Sequence, residues 1–244
     1  MSIEKLKSMI NESDNIVFFG GAGVSTESGI PDFRSETGLY ANSSKKKRGP
    51  NHIYTFKYYE ENKEKYLLHY KENMINTLKN SIREPNDAHI ALAELEKRGK
   101  LKIIITQNVD GLHQKAGTKN IIEIHGSTSR CFCEDCKTKY SLDYFLKATY
   151  LAKCEKCGGF IRPDIVMYGE KLNDSLLEEA RNYVSNADLF IVGGTSLVVY
   201  PAAGLLRYYK GDKLVIINKT ETKFDCKANL LFRDSIGKVL SSVI

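Results

Sequence analysis

The chain of 244 residues carries 42% hydrophobic and 27% charged side chains, which excludes a disordered polymer and a membrane-embedded protein and suits one or two cored domains. Residues 1–10 are interrupted by Glu4, Lys5 and Lys7, too polar for an export signal, and no run reaches the length of a membrane span, so a cytoplasmic setting is expected. The net charge of +6 is mostly scattered lysine; its dense run, Lys45-Lys46-Lys47-Arg48, holds no aromatic, so a solvated loop is expected there and a nucleic-acid partner is not.

In chain order, Ile3, Leu6, Met9 and Ile10 recur at helical spacing, and the polar residues 11–15 end that helix. Residues 16–19 (IVFF) are a short continuous apolar run, the mark of a strand buried on both faces. Runs of the same kind stand at 103–105, 121–124, 189–192, 214–217 and 230–232. Amphipathic helices are predicted between them at 88–98, 175–184, 202–209 and 235–243. This alternation predicts an α/β fold with a doubly wound parallel, Rossmann-like sheet. Residues 36–85, tyrosine-rich and helical in pattern, and 127–160, with four cysteines, interrupt it. They are expected to build a smaller second lobe, leaving 1–35, 86–126 and 161–244 as the nucleotide-binding lobe.

The predicted strands end in polar turns, where open α/β sheets bind ligands. After the first comes Gly20-Gly21-Ala22-Gly23-Val24-Ser25-Thr26, whose glycines let the backbone approach a pyrophosphate. It departs from the dehydrogenase fingerprint, because Thr26 stands at the third glycine position and no acid ends a second strand about twenty residues on. Pro31 then directs a turn that presents Asp32, Phe33 and Arg34 together; an aromatic there suits a flat ring and an arginine suits phosphate or carboxylate. Gln107-Asn108-Val109-Asp110 follows the strand at 103–105, and Asp110 suits an amide or hydroxyl. His125, at the end of 121–124 and the start of the cysteine-bearing insertion, is the one histidine placed to act as a general base; His52, His69, His89 and His113 read as structural. Gly193-Gly194-Thr195-Ser196 and Asn218 end two further strands. Cys133, Cys136, Cys154 and Cys157 form two C-x-x-C pairs separated by 17 residues (137–153), the spacing of a four-thiolate zinc site. Four thiolates saturate the ion, so its role is structural.

Taken together, GAGVSTESGIPDFRS, TQNVDGLHQKAG, the IHG at His125, the paired C-x-x-C, IRPDIVMYGE, GGTSLVVYPAAG and IIN resemble the sirtuin family of NAD-dependent protein deacylases in its short bacterial form. The resemblance covers nearly the whole chain, with segments 41–85 and 141–152 carrying little of it. It implies NAD as co-substrate, one structural zinc and an acyl-lysine protein or peptide as substrate; the oligomeric state stays open, with a monomer expected. Ala22, Gly23 and Thr26 would hold the pyrophosphate, while Phe33 and Arg34, with Asp32 beside them, would cover the nicotinamide ribose. Gln107 would bind ribose, Val109 and Asp110 the carboxamide, and Asn108 would join His125 at the reacting centre. Thr195, Ser196 and Asn218 would hold phosphate and adenine ribose, with Ile236 against the adenine. Ile165, Val166, Met167, Tyr168 and Gly169, with Leu197, Val198, Val199 and Tyr200, would pair with the peptide by strand addition.

The implied reaction starts with attack of the acyl oxygen on C1′ of the nicotinamide ribose, which expels nicotinamide. His125 then accepts a proton from a ribose hydroxyl, which attacks the resulting imidate carbon, and free lysine and O-acyl-ADP-ribose are the products. Counting from His125, the family pattern selects Cys133 over Cys131; Cys131 and Cys226 read as small, partly buried residues. In this family, enzymes that prefer acidic acyl groups carry Tyr-x-x-Arg in the helical insertion, and residues 66–74 here (YLLHYKENM) have no arginine. Mono-ADP-ribosyl transfer by the same site, and a non-catalytic NAD- or zinc-binding module, stay open as alternatives.

Overall fold

The computed structural model describes residues 2–33, 35, 38, 52–80 and 83–244; Arg34 and the basic run 45–48 lie outside the described residues. The chain opens with helix α1 (Ser2–Asn11) and strand β1 (Ile16–Gly20), then two helices of the first insertion, α2 (Phe56–Glu61) and α3 (Lys63–Asn80). Next come α4 (Asp87–Lys97), β2 (Leu101–Thr106), α5 (Leu112–Lys115) and β3 (Ile121–Glu123). The cysteine-bearing region supplies β4 (Gly126–Cys133), β5 (Lys139–Ser141), α6 (Leu142–Lys147) and β6 (Ile161–Ile165). The chain closes with α7 (Asp174–Asn186), β7 (Leu189–Gly193), β8 (Leu214–Ile217), β9 (Leu230–Phe232) and α8 (Ile236–Ser241).

Six strands form one parallel sheet in the order β3-β2-β1-β7-β8-β9. The period of two along β1 explains why it must be covered twice. Ile16 and Phe18 face a core shared with α1, α4 and α8, while Val17 and Phe19 face a second core shared with α7 and residues 202–206. Sequence order reverses between β1 and β7, so the crevice for a ligand lies outside their carboxyl ends.

Two expectations change. Residues 202–208 form a 3₁₀ rather than an α-helix. Gly204 donates its N–H to the Pro201 carbonyl three residues back, and a glycine in so short a segment gives an α-helix little support. β6, counted above with the larger lobe, pairs instead with β4 in a three-stranded antiparallel sheet β5-β4-β6, with Cys133 opposite Ile161. That small sheet shares one core with the helical insertion, built from Tyr59, Tyr66, Leu67, Phe145, Ile161 and Met167. Lys71, a residue only 9% exposed, ties the two insertions together: its ammonium donates to the carbonyls of Ala148 and Tyr150.

Candidate active site

The turns after β1 and β7 interlock. Gly23 donates to the Gly194 carbonyl at 2.8 Å, and a Cβ on Gly23 would stand 2.8 Å from the Gly194 backbone. Gly194 has φ +59°, and its own Cβ would lie 2.4 Å from Val24 N, so only glycine suits this crossing. Thr26, at the third glycine position of the fingerprint, is tolerated because a single 3₁₀ turn, Thr26–Ser28, replaces the long helix that would pack there. Its hydroxyl donates to the Gly23 carbonyl at 3.0 Å.

Gln107 joins three strand ends. Its main-chain N–H donates to the Gly20 carbonyl at 3.0 Å, and its side-chain amide to that carbonyl at 3.3 Å and to Thr195 Oγ1 at 3.1 Å. Asn108 Nδ2 donates to Ser25 Oγ at 3.0 Å, and Ser25 Oγ donates to Asp110 Oδ2 at 2.7 Å. Asp110 Oδ1 accepts from Leu112 N at 2.9 Å, so both carboxylate oxygens are fixed. The Val109 carbonyl is pinned by Thr128, through its N–H at 2.9 Å and its hydroxyl at 2.8 Å. Ser25 is buried at the centre of this network, and the sequence reading missed it. Its only signal was its place two residues past Gly23, and its contacts with 108 and 110 arise from strand pairing.

His125 sits in the turn between β3 and β4, and its carbonyl accepts from Val166 N at 2.9 Å. The ring's Nδ1 is 3.0 Å from the Gln107 carbonyl. A carbonyl only accepts, so Nδ1 carries the hydrogen and Nε2 presents the lone pair. Burial holds the imidazole below its ordinary 6.5, against the hydrogen bond to Gln107, which acts to raise it. The ring is therefore a neutral, oriented proton acceptor near pH 7.

The other candidate residues fall as follows. Thr195 is buried and accepts Leu197 N at 3.3 Å, and Ser196 adjoins it. Asn218 turns its amide into its own loop, onto the Thr220 carbonyl at 2.8 Å. Ile236 is buried beneath Gly193, where a Cβ would meet its Cδ1 at 2.1 Å. Asp32 Oδ1 accepts Ser35 N at 2.8 Å, and Phe33 is 36% exposed on the same turn. Glu27, also missed, accepts Gly237 N at 2.9 Å and fastens the glycine turn to α8 across 210 residues.

Along 165–169, three successive amides are already engaged. Val166 N donates to His125 O, Met167 N to Glu170 Oε2 at 3.0 Å, and Tyr168 N to Tyr54 O at 3.2 Å. Two carbonyls of the segment are engaged as well, Met167 O by Glu170 N at 3.0 Å and Tyr168 O by Phe56 N at 2.9 Å. The side chains of Leu197 and Met167 are buried in the two lobes' cores, whereas Val198 and Tyr200 are exposed and Val199 is half-buried. Leu197 has φ +54°, a strained conformation for a residue with a Cβ, and it lies between the Thr195 turn and the exposed pair.

The four cysteines converge. Their sulfurs lie within 4.8 Å of one another, with Cys133–Cys157 at 3.4 Å and Cys136–Cys154 at 3.5 Å. A tetrahedral zinc with Zn–S about 2.3 Å needs sulfurs about 3.8 Å apart, so the set fits the ion with small adjustment. The two halves repeat one knuckle: Lys137 N donates to Cys133 O and Gly158 N to Cys154 O, both residues having positive φ. Tyr140 donates to Cys154 Sγ at 3.1 Å, the kind of outer hydrogen bond that steadies a ligating thiolate. Cys131 is buried outside the set, its thiol pushed up to about 12 by burial. Cys226 is exposed, contrary to the partly buried position expected of it.

Beneath the crevice, His89 and His113 meet edge to face at 4.8 Å, and burial lowers both, His113 to about 3. Among the described residues, neither Nε2 has a hydrogen-bond partner. The unfolded chain therefore binds more protons below the ordinary 6.5. Stability should be full above that pH and decline as the pH falls toward 3, by about 1.4 kcal/mol per pH unit for one such histidine. Urea midpoints at pH 7 and pH 5 measure this, and His113→Phe should shrink the difference. An unchanged difference would mean that other groups carry the acid sensitivity.

Comparison with known proteins agrees with this geometry. The Sir2 family model matches residues 21–201. The chain is 53% identical over 243 residues to an NAD-dependent protein deacetylase of Clostridium perfringens, covering 99% of this chain and 98% of that one. It is 51% identical over 243 residues to one of Clostridium acetobutylicum, with the same coverage. Among solved structures it is similar to a mutant Sir2 homologue with ADP-ribose (TM-score 0.87, 39% identity, 98% and 94% of the two chains). It is also similar to a Sir2–p53 peptide–NAD+ complex (TM-score 0.83, 36% identity, 100% and 97%).

Proposed function

The chain belongs to the Sir2 family, and from that membership together with the crevice we propose that it is an NAD-dependent protein-lysine deacetylase. The observation that carries the reading is His125, neutral and held through Nδ1, beside the fixed Ser25–Asn108–Asp110 network at the sheet's reversal point. Bound in the crevice, NAD supplies an ADP-ribosyl acceptor for the acyl group and nicotinamide as the leaving group.

The protein's part is positional and protonic. Ala22, Gly23 and Thr26 would hold the pyrophosphate; Thr195, Ser196 and Asn218 would hold phosphate and adenine ribose, with Ile236 against the adenine. Asp32, Phe33 and Arg34 cover the nicotinamide side. Gln107 and Asn108 orient ribose hydroxyls, and Val109 and Asp110 bind the carboxamide. His125 Nε2 would accept the proton of a ribose hydroxyl. The interlocked glycine turns support this assignment, since they bring backbone close to where a pyrophosphate would lie.

An acyl-lysine peptide lies between 165–169 and 197–200, the seam of two lobes: 1–35, 86–126 and the segment after β6 on one side, the two insertions with β6 on the other. Cys133, Cys136, Cys154 and Cys157 hold one zinc. We assign the cytoplasm, because reduced thiolates favour a reducing compartment; no helix among the described residues is long and apolar enough to cross a membrane.

Mixing an acetyl-lysine peptide with NAD tests the reading by intact mass. Loss of the acetyl group with formation of O-acetyl-ADP-ribose is expected. Gain of ADP-ribose on the peptide, with acetyl retained, would move the assignment to ADP-ribosyl transfer.

Neutral short acyl groups should be preferred to succinyl. Lys71, the lysine within 66–74, has its ammonium engaged by the Ala148 and Tyr150 carbonyls, so it does not serve a carboxylate. Burying an unpaired carboxylate would cost several kcal/mol. Measured as kcat/KM on one peptide, acetyl, propionyl and butyryl should exceed succinyl by at least about 10²-fold, the ratio that ~2.7 kcal/mol gives. Equal rates would show that another residue supplies the charge.

A further inference from the structure

Beside the exposed end of 197–200, two cations from different elements converge on one aromatic ring. Tyr200 is 46% exposed, and its ring rests on Gly204, where a Cβ would lie 3.7 Å from Tyr200 Cε1. Lys223 Nζ stands 4.6 Å from the ring centre, from the loop between β8 and β9. Arg207 Cζ stands 5.7 Å from it, from the 3₁₀ segment 202–208. Hydrogen bonding from Lys223 first, then the neighbouring charge of Lys223 and of Arg207, holds the Tyr200 hydroxyl below its ordinary range.

Both cations lack a carboxylate partner among the described residues. Asp225, two residues from Lys223, is committed to Arg233 and to the Thr222 hydroxyl. Glu221 is exposed in the same loop and makes no ion pair with either cation. The basic surface continues at Arg181, whose guanidinium lies 5.2 Å from the ring of Tyr208, itself exposed. A cation resting on an aromatic face keeps its full charge while losing side-chain freedom in advance. A carboxylate arriving there meets a positive site whose ordering cost is already largely met.

We propose that Lys223 and Arg207, held over Tyr200, select acyl-lysine peptides that carry an acidic residue flanking the acylated lysine. The inference rests on the peptide-binding reading of 197–200 above and adds a substrate class to it. The charges sit beyond the exposed end of that segment, so they touch one flank of the peptide and leave the acyl group alone. Selection therefore depends on which side of the lysine the acid occupies.

The test uses the full chain with NAD and one acetyl-lysine peptide with neutral flanks, into which a single aspartate, then a single lysine, is scanned on either side. Aspartate at one or two positions on one flank should raise kcat/KM by about 3- to 10-fold over the neutral peptide, the scale of two exposed pairs. Lysine at those positions should lower it, and added salt should flatten both effects. In the Lys223→Ala, Arg207→Ala double variant the aspartate-to-neutral ratio should fall to about one. In Lys223→Glu with Arg207→Glu, lysine should become the preferred residue. Aspartate, neutral and lysine peptides turning over alike would overturn the inference and leave the deacetylase reading intact. So would an aspartate preference that survives both double variants. No deacetylation of any peptide would defeat the deacetylase reading, and this inference with it.

Discussion

His125→Ala should leave the fold and most of the NAD affinity in place and lower turnover by at least ~10²-fold, the low end for a positioned acid–base group. Among the described residues the side chain makes one hydrogen bond, to the Gln107 carbonyl, and the main-chain bond from Val166 survives the substitution. The structural loss is therefore small beside the loss of the oriented proton acceptor that His125 provides. The pH profile gives a second readout. The neutral ring is the active form, so the rate rises as the imidazole loses its proton. Because burial depresses that proton's affinity, the acid limb of kcat/KM should lie below the ordinary 6.5. In the alanine variant the limb should vanish with the rate. A variant within a few-fold of wild type would remove His125 from the proton transfer, and an acid limb above 6.5 would mean that a nearby negative charge outweighs burial.

Cys133→Ala or Cys154→Ala should cost structure before it costs chemistry. Both residues are buried, and each belongs to a knuckle whose backbone bonds close around the sulfur. Structural zinc contributes its binding free energy to folding, about 10–16 kcal/mol in small zinc-finger peptides. Here the small lobe also has an apolar core, so a partial loss is expected, about 4–5 kcal/mol or more. At about 2–4 °C per kcal/mol for a chain of this size, Tm should drop by roughly 10 °C or more. Wild type should bind about one zinc per chain and each variant clearly less. Chelation that strips the metal and leaves both melting and turnover unchanged would end the structural role.

Much of the site was legible because it sits where short apolar runs stop. A run such as 189–192 is a strand on composition alone, and the polar residues just after it must face the sheet's carboxyl edge. Thus 107–110, His125 and 193–196 could be gathered before any pairing was known. What escaped depends on pairing that no local pattern encodes. Ser25 became a hub only when the β1 turn met the β2 turn. Glu27 reached Gly237 only through the packing of α8 beside the glycine turn. β6 reads as a strand for either sheet, and its partner is decided by β4, whose Cys131–Cys133 end needs both neighbours. Arg162 on β6 also pairs with Glu170 at 2.5 Å, which holds the strand's exit on the small lobe's side. The 3₁₀ segment was misread because apolar spacing over seven residues looks alike in both helix types.

The core that joins the helical insertion to the cysteine module also sets an order of assembly during synthesis. Tyr59, Tyr66 and Leu67 leave the ribosome well before Phe145, Ile161 and Met167, against which they are buried. At 5–20 residues per second, roughly 5 to 20 s separate α3 from β6. For that interval an apolar helical face has nothing to cover it, and its partner closes fully only when four cysteines have collected a metal. A nascent chain in a zinc-starved cell would therefore display that face for longer, making this stretch the point at which chaperones and proteases first meet the protein.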